Sequence, residues 1–460
     1  MTVSECKTFL VPGKRAHLVG IGGVSMAPLA EVLHGMGMII SGSDMKESAT
    51  VEHLRSLGIH VVIGHYAENP KGCDLVIRTS AVHDDNPEIV GAREENIPVF
   101  ERAQAWGALM MDYKHAVCIS GTHGKTTATS MSAHIFMAAE KDPTVMIGGT
   151  LPLLNAGHRV GKGDTIVLES CEYCNSFLSF RPTTAVILDI EEDHLDFFKD
   201  LADIEGSFRR FADLVPAEDG VVVANADDRN TMDTLDGIDR NIITFGMGPY
   251  ADVYCENLEY ERGMGRFDLM QDGLPLTHVE LKVPGEHNVK NALAAAAAAL
   301  TAHIDPKAIA EGLNSYTGAG RRFEYKGEYN GAQVYDDYAH HPGELRMLLD
   351  TAQTLGYDRV ICAFQPHTYT RTKAFFSDFV RELSKADITV MLEIFAARET
   401  NTLGVSSKDI ADRLENGIYC PTIEALTDKL AELAQPGDLI LTVGAGDIYL
   451  AGEALVARDH

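Results

Sequence analysis

Ile119–Thr127, with the sequence ISGTHGKTT, is the stretch that decides the fold of the middle of the chain. It follows an apolar run and precedes a helix-like pattern, so we predict a strand, a glycine-rich turn and a helix. Glycines let backbone N–H groups converge on phosphate oxygens, and the N-terminus of the helix adds partial positive charge. Ile119 stands where the common phosphate-loop pattern has its first glycine. An incidental turn with a surface lysine is the alternative, and the strand–loop–helix context favours a nucleoside triphosphate site.

The side chains of this loop suggest how ATP would be held. Lys125 can reach the β- and γ-phosphates as a solvent-facing lysine, and the Thr126 hydroxyl can bind Mg²⁺. We predict that the ATP-binding residues of the loop are Gly121, Thr122, His123, Gly124, Lys125, Thr126 and Thr127.

Apolar strand patterns alternate with amphipathic helix patterns along the whole chain, which predicts an α/β protein with parallel sheets. The length of 460 residues is typical of about three domains. We place them at 1–108, 109–317 and 318–460. Predicted strands include 16–20 in the first domain, 116–120 in the second and 359–364 in the third.

A second glycine-rich loop, Gly20–Ser25, follows the first predicted strand and opens a helix. Asp44 lies near the end of the next strand, where a ribose-binding acid is expected in dinucleotide-binding folds. Ser25 replaces the third glycine of that fingerprint, so NAD, another nucleotide diphosphate and a plain tight turn all remain open. A separate ATP site favours a nucleotide-linked substrate.

Two further strand ends carry groups that can bind a metal. Glu169 follows the predicted strand 165–168, and His194 lies shortly after the strand 184–188. The carboxyl ends of parallel strands face the ligand crevice, so both side chains could reach Mg²⁺ near Thr126. A lone acid after a strand is more often a helix cap, but two such ends behind a phosphate loop favour the metal.

Composition excludes several classes of protein. The chain has 67 acidic and 39 basic residues, a formal net charge of −28, which argues against a nucleic-acid-binding surface. The N-terminus lacks a secretory pattern and no apolar run reaches the ~18 residues of a membrane-spanning helix, so we expect a cytoplasmic protein without membrane insertion. Cys171 and Cys174 lack a second ligand pair for zinc, so we predict two reduced thiols in a packed loop.

Several motifs occur in a fixed order along the chain. They are GTHGKTT from Gly121, EDHLD from Glu192, PGEHNVKN from Pro284, GRRFE from Gly320, DDYAHHP from Asp336 and QPHTYTR from Gln365. Together they resemble the Mur ligase family over essentially the whole chain. The opening HLVGIGG, with DDYAHHP and QPHTYTR, is most similar to the branch of that family that adds alanine.

The resemblance implies a Rossmann-like N-terminal domain, a central phosphate-loop ATPase domain and a Rossmann-like C-terminal domain that closes over the active site. It implies ATP-dependent amide formation between UDP-N-acetylmuramate and L-alanine through an acyl phosphate, with Mg²⁺ or Mn²⁺, by a monomer or homodimer. The alternatives are a sister ligase that adds a peptide or another amino acid, an NAD-dependent dehydrogenase and a regulatory nucleotide-binding protein.

The resemblance also assigns roles to single residues, and the catalytic ones are Lys125, Arg322 and His340, the last as a base for the amine. The UDP substrate would contact Gly22, Gly23, Asp44, Ser80, His123, His340 and Arg371. ATP would contact His287 and Asn291 through its adenine, Asp337 through its ribose and Arg322 through its phosphates. The metal ligands would be Thr126, Glu169 and His194. Asp189 departs from the family pattern, in which asparagine is expected.

Overall fold

The computed structural model describes residues 2–195, 197–397 and 399–459, so Asp196 of the EDHLD motif lies outside the described residues. The chain forms two compact units. The first contains the residues up to Cys255, Met270–Thr277 and Ala292–Gly312; the second contains Glu256–Leu269, His278–Asn291 and the residues from Leu313 onward. Throughout the described ranges, every helix is too short or too polar to cross a membrane.

The N-terminal part of the first unit is built on a parallel sheet. Its strands are β1 (Arg15–Val19), β2 (Ile39–Asp44), β3 (His60–Ile63), β4 (Leu75–Arg78) and β5 (Val99–Glu101). Its helices are α1 (Val3–Phe9), α2 (Met26–Gly35), α3 (Ala49–Ser56), α4 (Pro87–Glu94) and α5 (Arg102–Met110). The strand order is β3-β2-β1-β4-β5, with parallel pairs throughout. The order reverses at β1, so a ligand crevice is expected at its carboxyl end.

The next sheet has ten strands. They are β6 (His115–Ser120), β7 (Thr144–Leu151), β8 (Ala156–Arg159), β9 (Thr165–Glu169), β10 (Thr184–Ile187), β11 (Val221–Asn225), β12 (Asn241–Gly246), β13 (Val253–Glu261), β14 (Met264–Gln271) and β15 (Leu274–Pro284). The helices are α6 (Lys125–Ala138), α7 (Leu201–Ala212), α8 (Arg229–Leu235), α9 (Glu286–Thr301) and α10 (Pro306–Ser315), with a 3-10 helix at Tyr173–Ser179. In the order β15-β14-β13-β12-β11-β10-β6-β9-β7-β8, β6 lies between β9 and β10. The three strand ends that carry the predicted ATP and metal residues are therefore neighbours.

The second unit contains the third sheet. Its strands are β16 (Glu324–Tyr329), β17 (Ala332–Asp337), β18 (Arg359–Phe364), β19 (Ile388–Leu392), β20 (Gly417–Cys420) and β21 (Asp438–Val443). Its helices are α11 (Pro342–Thr354), α12 (Tyr369–Ala374), α13 (Phe376–Leu383), α14 (Ser407–Ala411), α15 (Ile423–Leu433) and α16 (Tyr449–Val456), followed by a 3-10 turn at Ala457–Asp459. The order is β16-β17-β21-β18-β19-β20, in which only β16 is shown pairing antiparallel.

Strand β18 shows why this sheet needs helices on both faces. Val360, Cys362 and Phe364 belong to one buried cluster, and Ile361 and Ala363 belong to another. Alternate residues of a strand point to opposite faces, so an apolar run without alternation indicates burial on both sides. The predicted α/β class is confirmed.

The strands β13, β14 and β15 were not predicted from the sequence. Two-residue turns connect them, and in each turn both residues have positive φ: 50° and 76° at Arg262 and Gly263, and 50° and 79° at Asp272 and Gly273. Such turns match the twist of a hairpin, and Asp-Gly is one of their strongest sequence signals.

Candidate active site

The predicted strand–loop–helix is confirmed at the ISGTHGKTT stretch. Strand β6 ends at Ser120 and helix α6 begins at Lys125. Gly121 and Gly124 have φ values of 149° and 78°, which glycine adopts without strain. Gly124 caps α6 and no side chain of the described residues does, so the N–H groups of the first turn remain available to an anion. The Ser120 hydroxyl beside the loop is buried and has no hydrogen-bond partner within the described ranges.

Lys125 is not solvent-facing, so that prediction is wrong. Its side chain is 14% exposed, and its ammonium lies 3.1 Å from Glu172 Oε2. The ammonium also donates to the carbonyl oxygens of Gly121 and Thr122. Burial acts to lower the pKa of Lys125, but Glu172 and the other acidic neighbours outweigh it and the pKa lies above its ordinary value. Lys125 is therefore a fixed positive charge beside the loop.

Two of the three predicted metal ligands meet at the ends of β9 and α6. The Thr126 hydroxyl donates to Glu169 Oε1 at 3.2 Å, and the Gly148 N–H donates to Glu169 Oε2 at 2.7 Å. A Cβ atom on Gly148 would lie 2.5 Å from Glu169 Oε1, so a side chain there would displace the carboxylate from its present position. A hydroxyl and a carboxylate are ligands that fit a hard divalent cation.

His194, the third predicted ligand, contacts a different acid. Its Nε2 lies 3.6 Å from Glu172 Oε1 and 3.8 Å from Asp193 Oδ2, and no hydrogen bond or ion pair joins it to Glu169 among the described residues. Glu172 is 3% exposed and is shared by His194 and Lys125. Glu172 was not predicted from the sequence, because it lies three residues beyond the strand end and outside the quoted motifs.

Cys171 and Cys174 are free thiols, as predicted, but both are exposed rather than packed. Cys171 directly precedes Glu172. Cys174 lies in the 3-10 helix with a φ of 55°, a left-handed conformation that bends the chain there.

Asp189, directly after β10, fixes the conformation of the phosphate loop. Its Oδ1 accepts from the His123 N–H at 2.8 Å, and its carbonyl accepts from the Thr122 N–H at 3.1 Å. His123 Nε2 also lies 3.3 Å from Glu191 Oε2. Burial raises the pKa of Asp189 to about 6, against the opposing effect of His123.

This raised pKa predicts a pH effect on stability. The folded protein binds the Asp189 proton more tightly than the unfolded chain does, so proton binding stabilises the fold. This stabilisation is complete below pH 3.8 and is lost as the pH rises through about 6. Asp189→Asn keeps the oxygen acceptor and removes the charge. We expect its free energy of unfolding, relative to the wild type, to rise by about 1–2 kcal/mol between pH 4 and pH 7. Denaturant unfolding at both pH values measures this; a difference that does not change with pH would contradict it.

The N-terminal loop places Gly22 beside Asp44, and substrate binding by both stays a prediction. The Gly22 N–H donates to Asp44 Oδ2 at 2.9 Å. The N–H groups of Gly20 and Ile21 both donate to the Ser43 carbonyl at 2.9 Å, which ties the loop to the end of β2. The left-handed glycine is Gly20, with a φ of 79°.

Gly23 and Ser80 lie at the same edge of this sheet. A Cβ atom on Gly23 would lie 3.3 Å from the Gly20 carbonyl oxygen, and one on Gly20 would lie 2.8 Å from Thr79 Cγ2. Ser80 is exposed in the turn that follows β4. Its contact with a substrate stays a prediction.

In the second unit, Glu344 connects two of the predicted catalytic residues. Arg322 Nη1 lies 3.6 Å from Glu344 Oε1, and the His340 N–H donates to Glu344 Oε2 at 2.9 Å. His340 Nδ1 lies 3.0 Å from the Tyr338 carbonyl, which can only accept, so Nδ1 carries the proton and the neutral ring has its lone pair on Nε2. Glu344 was not predicted from the sequence, although His341-Pro342-Gly343-Glu344 is a capping box at the start of α11.

Arg371 and Asp337 belong to the same unit. Arg371 Nη1 lies 3.5 Å from His367 Nδ1, and the His367 ring is 6.0 Å from the His340 ring. Asp337 accepts from the backbone N–H groups of Phe323 and Ala339, both at 2.8 Å. Burial raises the pKa of Asp337 to about 6, which the nearby Arg322 opposes.

The predicted adenine residues lie at the start of α9. A Cβ atom on Gly285, whose φ is 100°, would lie 2.5 Å from His287 Cε1. Burial, with a further effect of Lys290, lowers the pKa of His287 to about 4, so its ring is neutral at pH 7. Asn291 donates to Asn288 Oδ1 at 3.4 Å. Adenine binding by His287 and Asn291 stays a prediction.

The two glycine-rich loops and the residues of the second unit occur together in a known protein family. Residues 15–114 match the Mur ligase family catalytic domain, 119–299 the Mur ligase middle domain and 321–446 the glutamate ligase domain of Mur ligases. A UDP-N-acetylmuramate–L-alanine ligase of Agathobacter rectalis is 46% identical over 448 residues, which are 96% of this chain and 97% of that protein. The chain belongs to the Mur ligase family. A second such ligase, from Clostridium novyi, is 45% identical and covers 96% of both chains.

Solved structures agree with this membership. The UDP-N-acetylmuramate–alanine ligase of Thermotoga maritima superimposes with a TM-score of 0.80 at 31% identity, covering 97% of this chain and 99% of that one. A murein peptide ligase from Psychrobacter arcticus has a TM-score of 0.70 at 23% identity, covering 97% of this chain and 98% of its own, and shares the fold. The three-domain architecture of Mur ligases thus accounts for the three sheets.

Proposed function

We propose that this Mur ligase joins UDP-N-acetylmuramate to L-alanine with ATP, forming ADP and phosphate, in the synthesis of peptidoglycan precursors. The observation that carries the proposal is the ISGTHGKTT loop, in which the N-terminus of α6, capped by Gly124 without a side-chain hydrogen bond, lies beside the buried, protonated Lys125. The activity named for the 46% identical relative supports the choice of substrates. ATP and nucleotide sugars are cytoplasmic metabolites, so the proposed location is the cytoplasm.

Each predicted domain is proposed to bind a different part of the substrates. Residues 1–108 would bind the UDP substrate through Gly22, Gly23, Asp44 and Ser80. Residues 109–317 would bind ATP, and 318–460 would form the third domain, with Arg322 contacting phosphate, Asp337 the ribose and Arg371 the substrate. What supports the N-terminal assignment is the position of Gly20–Ser25 at the point where the strand order reverses.

The chemical problem is that a carboxylate is a poor acyl donor. Transfer of the γ-phosphoryl group of ATP to a carboxylate oxygen gives an acyl phosphate, and the fixed charge of Lys125 would stabilise the charge on the transferring oxygens. The amine of L-alanine then attacks the acyl carbon, the amide bond forms and phosphate leaves. His340 Nε2, which holds the lone pair of the neutral ring, is the proposed acceptor of the amine proton.

Mg²⁺ or Mn²⁺ is the proposed metal, and it would neutralise charge on the phosphates. Thr126 and Glu169 would hold it, and the 3.2 Å contact of their oxygens supports a shared cation. His194 is the proposed third ligand. Its Nε2 lies 3.6 Å from Glu172 Oε1.

Phosphate release tests the proposed function. With ATP, Mg²⁺ and UDP-N-acetylmuramate present, we expect phosphate release only when L-alanine is added. Parallel assays with glycine and L-serine measure the preference of the enzyme among these amino acids. A peptide that replaces L-alanine efficiently would indicate the sister ligase. A rate of phosphate release that is the same with and without UDP-N-acetylmuramate would contradict the proposal.

His194→Ala tests the metal assignment. Loss of one ligand should raise the half-saturating Mg²⁺ concentration of the proposed reaction at least about tenfold. Alanine must adopt the positive φ of 52° at this position, so thermal melting is measured first. His60→Ala, at an exposed position of β3, is the matched control. An unchanged Mg²⁺ dependence in a folded His194→Ala protein would remove His194 from the ligand set.

A further inference from the structure

Cys171, Glu172 and His194 form a cluster that the proposed ligation does not use as a unit. One ligand atom from each, the thiol sulfur, a carboxylate oxygen and an imidazole nitrogen, lies within 4.8 Å of the other two. All three belong to the first unit. This cluster combines the three kinds of protein ligand that zinc prefers, including a sulfur that Mg²⁺ does not.

We propose that Cys171, Glu172 and His194 form a binding site for a thiophilic divalent cation such as Zn²⁺, and that its occupation inhibits the enzyme. The inhibition rests on the proposed function, whereas the binding does not. The sequence offered no second cysteine pair as a partner for Cys171. In the structure the partners are an acid and an imidazole.

The distance between the acid and the imidazole fits one tetrahedral ion. Zinc bonds of ~2.0–2.3 Å place neighbouring tetrahedral ligand atoms about 3.3–3.8 Å apart. His194 Nε2 lies 3.6 Å from Glu172 Oε1, within that range. Glu172 Oε2 lies 3.1 Å from the Lys125 ammonium. The ammonium also donates to Glu172 Oε1 at 3.3 Å, so an ion bound at Oε1 would share that oxygen with Lys125.

The two acidic ligands differ in their surroundings. Cys171 is an exposed residue, whereas Glu172 is buried and held in place. Burial of the thiol, with a further effect of Glu172, raises the pKa of Cys171 to about 12, so the ion must displace a firmly held proton. Binding breaks the S–H bond of Cys171, forms a sulfur–metal bond and releases one proton to the buffer. The thiolate and the Glu172 carboxylate together balance the charge of the dication. With three protein ligands, the fourth coordination position is left for water.

The inhibition follows from the neighbours of the site. His194 is a proposed Mg²⁺ ligand, and Glu172 is the acid that holds Lys125. An ion held by Cys171 takes the nitrogen lone pair that His194 would offer to Mg²⁺, and it takes up the Glu172 charge that otherwise faces Lys125. Mg²⁺ at high concentration should not displace it, because a hard ion does not compete for thiolate.

Binding is tested with the metal alone on the full chain. The protein is first reduced with a reagent that carries no thiol and then stripped of metal by chelation. We expect one Zn²⁺ per chain by calorimetry and, with Co²⁺, a thiolate-to-metal charge-transfer band in the near ultraviolet. Cys171→Ser should weaken Zn²⁺ binding at least about tenfold and abolish the band. Cys171→Ala repeats the removal of sulfur with a different side chain.

Cys174→Ser is the matched control, because it removes the other exposed thiol of the chain but none of the three ligands. It should bind Zn²⁺ like the wild type. Unchanged binding in both Cys171 variants, a Co²⁺ complex without the sulfur band, or loss of binding in Cys174→Ser would overturn the site.

The consequence is tested in the phosphate-release assay at saturating Mg²⁺. Zn²⁺ should inhibit the wild type and Cys174→Ser at concentrations at least about tenfold lower than those needed for Cys171→Ser, while the rates without Zn²⁺ stay similar. Equal inhibition of Cys171→Ser would overturn the inhibitory role. If no ligation is found at all, the proposed function fails, and the calorimetric result still decides the metal site.

Discussion

Lys125→Ala should lower the rate of the proposed ligation at least about a hundredfold, because the transferring phosphoryl group loses a positioned positive charge. The substitution has a second effect. Lys125 is the cation beside Glu172, whose carboxylate is 3% exposed, so its removal leaves a buried negative charge without its ammonium partner. We therefore expect the variant to be less stable than the wild type as well as inactive.

A double variant separates the two effects. Lys125→Ala with Glu172→Gln removes both charges, so it should recover much of the lost thermal stability. It should not recover activity, because the phosphate still lacks its cation. Glu172→Gln alone keeps Lys125 and is the matched control. Melting curves and phosphate release report both quantities, and near-normal turnover in a folded Lys125→Ala protein would rule out the assigned role of the loop.

Gly22→Val should abolish binding of UDP-N-acetylmuramate, or weaken it at least about a hundredfold, since a backbone that must approach phosphate cannot carry a side chain. A Cβ atom at this position would lie 2.9 Å from Asp44 Oδ2 and 3.1 Å from Val51 Cγ2, so the loop and Asp44 must both shift. The ATP loop follows a different strand in another sheet. ATP affinity should therefore change by less than about twofold.

Gly35→Val is the matched control for this experiment. Gly35 is the last residue of α2, and a Cβ atom there meets nothing within 4 Å. Both ligands should bind this control normally. Calorimetric titrations follow a check of folding by circular dichroism. If Gly22→Val loses ATP affinity and still binds the UDP-sugar, the assignment of ligands to the two domains is reversed. If NAD competes with the UDP-sugar for the wild type, the result favours a dehydrogenase.

The sequence predicted the sheets and the phosphate loop because these depend on local patterns. The run before Gly121 is apolar without alternation, as a strand buried on both faces requires, and glycines occupy the two positive-φ positions of the loop. The position of Asp44 at the end of the strand after the Gly20–Ser25 loop was predictable for the same reason, because the turn and the end of the next strand have fixed positions in this type of sheet.

The partners of the charged groups could not be predicted in this way. The sequence around Lys125 predicts a surface lysine. The contact of its ammonium with Glu172 depends on the path of the chain after β9. His194 was expected near Glu169 because both follow strands of one sheet. The left-handed backbone at His194 accompanies a contact with Glu172 instead. Side-chain direction after a strand end depends on loop conformation, which has no simple periodic signal.

The most direct test of the central claim follows one oxygen atom through the reaction. UDP-N-acetylmuramate labelled with the heavy oxygen isotope in its carboxylate is incubated with the protein, ATP, Mg²⁺ and L-alanine, and the released phosphate is analysed by mass spectrometry. An acyl phosphate keeps a carboxylate oxygen as its bridge to phosphorus, and attack by the amine sends that oxygen away with the phosphate. We predict one labelled oxygen in each released phosphate. Amide formation that releases only unlabelled phosphate would contradict the account.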